Sequence, residues 1–173
     1  MISYSNALKL LKKYVKDPKV IIHSEGAAKF ASMLADKVDN KHPEFKINKE
    51  KIRIAALLHD IGKEEQHGHE ERSLKILEKE GLQDIAKITV HGFSYFINNK
   101  NRNLSQTEKI ENMIVVYSDV RFKFAPTTTE ERLQEAKAGW KGTPEEIKAK
   151  EKQNREIVSK FEKKIFKLVG KEF

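Results

Sequence analysis

The segment Leu57-Leu58-His59-Asp60-Ile61-Gly62-Lys63 constrains this chain more than any other. It sets an imidazole and a carboxylate side by side at the end of an apolar helical pattern, then follows them with a helix-stopping glycine and a lysine. Both side chains are short and emerge beside the core. Burying a carboxylate without a partner costs several kcal/mol. A fold that keeps this segment must therefore bring a cation, and the groups that hold it, to one point.

The rest of the chain reads as helix. Ser5 is placed to cap a first helix with apolar positions Leu8, Leu11 and Val15, closing near Asp17-Pro18 (residues 5–17). A second runs from about Val20 to Val38, with Ile22, Gly26, Phe30, Met33 and Leu34 on or near one face. Residues 40–45 form a loop. Asn48 caps a third helix through Ile52, Ala55, Ala56 and Leu58 that stops at Gly62. After a polar loop from Glu64 to Gly68, Leu74, Ile76 and Leu77 mark a fourth helix ending at Gly81. Ile85, Ile88 and Phe93 mark a shorter fifth.

Ser105-Gln106-Thr107-Glu108 is a capping-box pattern opening a helix through Ile110, Met113, Ile114 and Tyr117. Thr143-Pro144-Glu145-Glu146 opens the last helix, over 143–169, in the same way, with proline at its first position. Its stripe Ile157, Phe161, Ile165 and Leu168 must bury itself on the domain body or on a second subunit, which makes a homodimer an expectation. No segment supports a strand. The expected architecture is all-α: one compact helical bundle over residues 1–173 with an added C-terminal helix.

Composition narrows the chemistry. The 173 residues contain no cysteine, which excludes disulfides, thiolate catalysis and Cys-ligated zinc. No apolar run approaches the roughly 20 residues that span a bilayer, and residues 1–5 show no signal-peptide pattern, so a cytoplasmic location is expected. The net charge of +8 suggests nucleic acid, but its location argues otherwise. Residues 1–20 carry five Lys and one Asp, and residues 141–173 carry ten Lys plus Arg against six Glu. The stretch between is neutral, so the excess lies on two terminal helices, where solvated faces explain it better than a polyanion surface does.

The remaining strong ligands are imidazoles and carboxylates. His23 sits in the second helix among apolar neighbours, where a lone histidine is usually a hydrogen-bonded core residue. Asp119, late in an apolar helix, would alone be read as an ion pair with Arg121 or Lys123. His69 near a helix start and His91 near a helix end have ordinary readings as well. Together the order His … His-Asp … Asp is harder to dismiss, because each member falls on a different helix facing apolar packing.

That order, His23 … His59-Asp60 … Asp119, resembles the HD-domain superfamily of metal-dependent phosphohydrolases. His23-Ser24-Glu25-Gly26-Ala27-Ala28 is similar to the family's first motif, and Ala55 through Lys63 to its most recognisable signature. The resemblance spans about residues 20–125. It implies one divalent ion held by His23, His59, Asp60 and Asp119. A second would be held by His69, His91 and a bridging Asp60, as in two-metal members such as the bacterial diadenosine tetraphosphate hydrolases, with His67 an alternative to His69. His67 and His42 are otherwise read as exposed.

The implied reaction is hydrolysis of a phosphate ester or anhydride of a small nucleotide by metal-activated hydroxide, with Asp60 and Lys63 in catalytic roles. Imidazole plus carboxylate suits Mn, Fe, Co, Ni or Zn, and Mg less well. Lys63 and Arg121 are candidates for substrate phosphate; a surface lysine and an arginine paired with a nearby acid are their ordinary readings. Glu25 and Glu64 are candidate acid-base or supporting groups. Residues Pro126 to Thr129 suggest a loop over the pocket, and Trp140 a base-stacking or packing residue. There is no Gly-Tyr-Pro motif, which disfavours cyclic-di-nucleotide phosphodiesterase activity, and no synthetase module. The alternative is a non-catalytic metal- and nucleotide-binding sensor.

Overall fold

Helix α3 (Lys49–Leu58) is the axis of the molecule, because Ile52 and all of Ile54 to Leu58 are buried, leaving almost no solvent face. The computed structural model describes residues 2–63, 68–91 and 103–170. Among these there are eight α-helices and no strand, only an isolated bridge between Phe122 and Pro126. The chain is all-α, as expected. No described helix is long and apolar enough to cross a membrane.

Helix α1 (Tyr4–Tyr14) packs on α3 through buried Ala7 and Leu11. Its cap is Ser3, whose side chain accepts from the Asn6 N–H, and the expected cap Ser5 lies inside the helix. The helix ends at Tyr14, short of the expected 17, because Asp17-Pro18 opens the next one. The Asp17 carboxylate accepts from the Lys19 N–H, and Pro18 stands where no backbone donor is needed.

Helix α2 (Pro18–Lys41) then runs across α3 on a face of small residues, Gly26, Ala27, Ala28, Ala31 and Ala35, which lets the two backbones approach closely. Gly26 makes room for a different neighbour: a Cβ there would fall on the ring of Phe122, a residue well outside α3.

Helix α3 ends at Leu58, four residues before Gly62. Residues 59–63 form tight turns in which Ile61 N donates to Leu58 O and Lys63 N to Asp60 O. Helix α4 (His69–Lys79) follows and stops before Gly81, whose φ of +74° is the left-handed conformation glycine adopts at little cost. Helix α5 (Gln83–Thr89) packs against α3 and α4. Glu64, His67 and Phe93 lie outside the described residues.

Helix α6 (Gln106–Arg121) opens with the expected capping box at Ser105 and Glu108. It contains the Met113–Tyr117 run and closes the core against α2, α3 and α5. Its Glu111, 1% exposed, reaches α3, where it accepts from the Asn48 N–H and pairs with Lys51.

Helix α7 (Thr129–Ala138) was not anticipated by periodicity, since Leu133 is its only buried residue, but Thr128 and Glu131 make a full capping box. Helix α8 (Pro144–Val169) opens at Thr143 as expected. It lays Ile165 and Val169 in the core and sets Phe161 against Tyr117, ring centroids 5.9 Å apart. Its apolar stripe is therefore spent on the domain body.

Candidate metal centre

Two helices and one turn deliver polar atoms to a common point. His23 comes from α2, His59 and Asp60 from the turn after α3, and Asp119 from the last turn of α6. Around it, His23 Nε2 lies 3.1 Å from His59 Nε2, 3.8 Å from Asp60 Oδ2 and 3.1 Å from Asp119 Oδ1. His59 Nε2 lies 3.6 Å from Asp60 Oδ2 and 3.5 Å from Asp119 Oδ1. Nitrogen and oxygen ligands stand about 2.0–2.2 Å from a first-row divalent ion, so neighbouring ligands lie about 3.0–3.6 Å apart. The His23, His59 and Asp119 atoms are spaced like a ligand set, with Asp60 Oδ2 beside the two imidazoles.

The hydrogen-bond partners decide what these nitrogens offer. A carbonyl only accepts, so a ring nitrogen bonded to one must carry the proton. His59 Nδ1 donates to Ala56 O at 2.7 Å, and His23 Nδ1 to Lys123 O at 3.2 Å. In the neutral rings both Nε2 atoms are then lone pairs, facing each other at 3.1 Å. Two lone pairs so close repel unless a cation or proton lies between them. Backbone carbonyls that fix the tautomer and aim of an imidazole are the usual outer support of a metal site.

Asp60 faces two ways. Its Oδ2 belongs to the set above and takes the Lys63 ammonium at 2.6 Å. Its Oδ1 lies 3.4 Å from both His69 Nε2 and His91 Nε2, is buried, and has no hydrogen-bond partner. A buried carboxylate oxygen left without a donor marks a place where a cation belongs. His91 Nδ1 donates to Thr89 O at 3.1 Å, again turning Nε2 inward. His69, Glu70 and His91 can each bring one ligand atom within 4.8 Å of the others. The donor set therefore fits one ion at His23, His59, Asp60 and Asp119, and a second beside Asp60 Oδ1.

Burial and the neighbouring charges compete at each titratable group of this cluster. Burial favours the neutral acid at Asp60, but His59, His91 and Lys63 overcome it and hold the carboxyl well below its usual range. Burial likewise opposes the Asp119 charge, and the His23 and His59 rings beside it outweigh burial and hold its carboxyl well below the usual range. At His91 burial disfavours the cation, yet Asp60, then Asp119 and Glu70, push it up to about 9. At His69 burial prevails and the pKa falls.

Local packing sets these positions. A Cβ on Gly62 would stand 2.6 Å from Ser73 N and 2.7 Å from His69 O, so this glycine is required for close approach of α4. Ser73 Oγ accepts from Gly62 N at 2.9 Å, locking the first turn of α4, with His69, to the His59-Asp60 turn. The buried Asn112 amide on α6 donates to Ile88 O and Val90 O, both at 2.8 Å, and so places the chain end that carries His91.

Other expected residues have different surroundings. Arg121 Nε donates to Thr127 O at 2.7 Å and Nη1 to Tyr117 Oη at 2.8 Å, so its guanidinium braces the end of α6. Glu25 lies on the side of α2 where Tyr4 feels its charge. Residues 126–128 lead into α7, and the Trp140 ring carries Lys150 Nζ at 4.9 Å. His42 is half-buried, its ring 5.1 Å from that of Phe45. Three residues that sequence reasoning passed over border the cluster or support it: Glu70, Asn112 and Arg132, whose Nη2 is 3.7 Å from Asp119 Oδ1. Glu70 and Arg132 had the ordinary look of polar helix surface, and a lone Asn within α6 carried no signal.

A family model for the HD domain matches residues 20–121, more than half of the chain. No curated protein and no solved structure matches it.

Proposed function

The chain belongs to the HD-domain family, and from that premise we propose that it is a metal-dependent phosphohydrolase acting on a phosphate ester or anhydride of a small nucleotide. HD domains are generally metal-dependent hydrolases. The observation that carries the reading is the pair of Nε2 lone pairs of His23 and His59 aimed at one point with Asp60 and Asp119. A divalent ion bound there supplies positive charge for phosphoryl oxygens and brings the pKa of water from about 15.7 toward about 7.

The chain's own residues divide the remaining work. His23, His59, Asp60 and Asp119 would hold a first ion, and Asp60, His69 and His91 would hold a second. Glu70 stands beside that second set. Lys63, 40% exposed and bonded to Asp60 Oδ2, presents an ammonium to an incoming phosphate. The buried walls of α2, α3 and α6 exclude water from the inner side of the cluster and strengthen each charge interaction. Mn, Fe, Co, Ni and Zn suit the donors better than Mg.

The test is a hydrolysis screen with metal-reconstituted protein across nucleoside mono-, di- and triphosphates, dinucleoside polyphosphates and cyclic nucleotides, with Asp60→Ala as control. A substrate cleaved by the wild type and not by the variant is expected. Equal activity in the variant, or less than about half an equivalent of any divalent metal after reconstitution, sinks the reading.

A further inference from the structure

Arg132 stands at the edge of the metal centre on a helix that the family match does not reach, since the match ends at residue 121 and α7 spans Thr129–Ala138. Its Nη2 lies 3.7 Å from Asp119 Oδ1, the oxygen that also faces His23 and His59. That separation is ion-pair range but beyond a hydrogen bond, so the guanidinium is held near the carboxylate without being consumed by it. Its Nη1 lies 3.2 Å from Glu135 Oε2, and Glu135 Oε1 accepts from Lys123 Nζ at 2.8 Å. Lys123 is the residue whose carbonyl orients His23.

The helix behind Arg132 is firmly set. Leu133 is 1% exposed, Thr128 and Glu131 cap one another, and Glu130 pairs with Arg155 of α8. Thr129 Oγ1 adds a bond to Glu162 Oε1 at 3.1 Å. The Arg132 side chain, 25% exposed, is thus aimed and still open to solvent. Each carboxylate of the cluster accordingly carries one chain cation on its inner oxygen: Lys63 on Asp60 and Arg132 on Asp119.

We propose that Arg132 is a substrate-binding residue which, together with Lys63, takes non-bridging oxygens of the substrate phosphate and selects a terminal phosphoryl group over an internal diester. This rests on the phosphohydrolase reading above. The ion-holding cluster, Lys63 and Arg132 are three separate positive partners. A terminal phosphoryl group has three non-bridging oxygens and a double negative charge; a diester has two such oxygens and a single charge. The planar fork of an arginine, with five N–H donors, suits this task better than a carboxylate pair alone requires.

The test measures binding of inorganic phosphate to manganese-loaded protein by calorimetry, with metal content determined alongside. Arg132→Gln is expected to weaken phosphate about tenfold or more, the loss of a charged hydrogen bond, at unchanged manganese stoichiometry. Arg132→Lys restores part of it, and Glu135→Gln, which removes the partner but keeps the guanidinium, changes it less than about threefold. Dimethyl phosphate binds more weakly and ignores the Arg132 change.

Equal phosphate affinity in wild type and Arg132→Gln, with binding abolished by Asp60→Ala, overturns the role of Arg132 and leaves the hydrolase reading standing. Loss of manganese in Arg132→Gln, or an equal loss of phosphate in Glu135→Gln, shows a residue that only holds Asp119 in place and also overturns the proposal. Dimethyl phosphate binding as tightly as phosphate overturns the preference for a terminal group. Phosphate that fails to bind manganese-loaded wild type, or binds Asp60→Ala equally, defeats both readings.

Discussion

His23 Nε2 and His59 Nε2 face each other at 3.1 Å while the opposite nitrogen of each ring is tied to a carbonyl oxygen. Neither ring can turn its lone pair away without breaking a backbone bond. With both rings neutral the two lone pairs repel, and a proton or a divalent ion between them would relieve the repulsion. Manganese or zinc at 100 times its dissociation constant is expected to stabilise the protein by about 2.7 kcal/mol, read as a rise in thermal midpoint. His59→Ala should abolish the rise. Undiminished metal uptake by that variant would remove His59 from the ligand set.

Gly26→Ala tests how the first site is held. The added Cβ falls on the Phe122 ring, and Phe122 directly precedes Lys123, whose carbonyl aims His23. Overpacking of this kind costs about 1–3 kcal/mol. Displacing the carbonyl should also weaken the first ion by about 10-fold or more, as loss of an outer support does. Chemical denaturation and metal titration of the same protein give both numbers. A destabilised variant with unchanged metal affinity would show that Phe122 moves without carrying residue 123.

Asn112→Ala separates the two ions. It leaves the Ile88 and Val90 carbonyls without their buried donor, at a cost of about 1–3 kcal/mol. It also loosens the chain just before His91, whereas His23, His59 and Asp119 do not depend on that bond. Metal stoichiometry should fall by about one equivalent while the ion at His23, His59 and Asp119 is kept. Loss of both ions together would mean that the centre assembles as one unit.

His91 gives the metal-free protein a definite pH dependence. Its folded pKa, about 9, lies above the ordinary 6.5, so the stability it contributes is complete below 6.5 and is lost as the pH rises through 9. Asp60 and Asp119 titrate below the usual carboxylate range, and His69 below 6.5, so none of them offsets the trend in this window. Urea midpoints of chelator-treated protein should decline from pH about 6.5 to about 9, and His91→Gln should flatten the slope. The metal-loaded protein should slope the other way, because the ion replaces that proton and alkaline pH favours the exchange. A metal-free midpoint that rises toward pH 9 would contradict the charge assigned to His91.

The residues that meet at the candidate centre were legible because a buried His-Asp pair has few innocent explanations, and because His23 and Asp119 fall on other apolar helices. The reciprocal caps at Ser105 and Thr143 were legible for a local reason: both halves of the bond lie within four residues. The same pattern stood at Thr128-Thr129-Glu130-Glu131, but α7 buries only Leu133 and so shows no stripe. Ser3 and Ser5 are equal as caps on paper; the packing of Ala7 and Leu11 picks the earlier one. Arg121 and Arg132 were indistinguishable in kind. The first is taken by Tyr117 and Thr127, and the second reaches Asp119 only through a tertiary turn that no local rule specifies. Gly62 was read as a helix stop, whereas its small size serves the approach of α4.

The bond from His23 Nδ1 to Lys123 O joins positions 100 residues apart. Contacts of such long sequence separation form late, because the chain must first close a long loop. An ion that needs His23 and Asp119 at once has nothing to hold until α6 has docked, so it cannot template early folding. Its leverage falls on the way out. Metal should leave the refolding rate nearly unchanged and slow unfolding, acting as a latch on a finished chain.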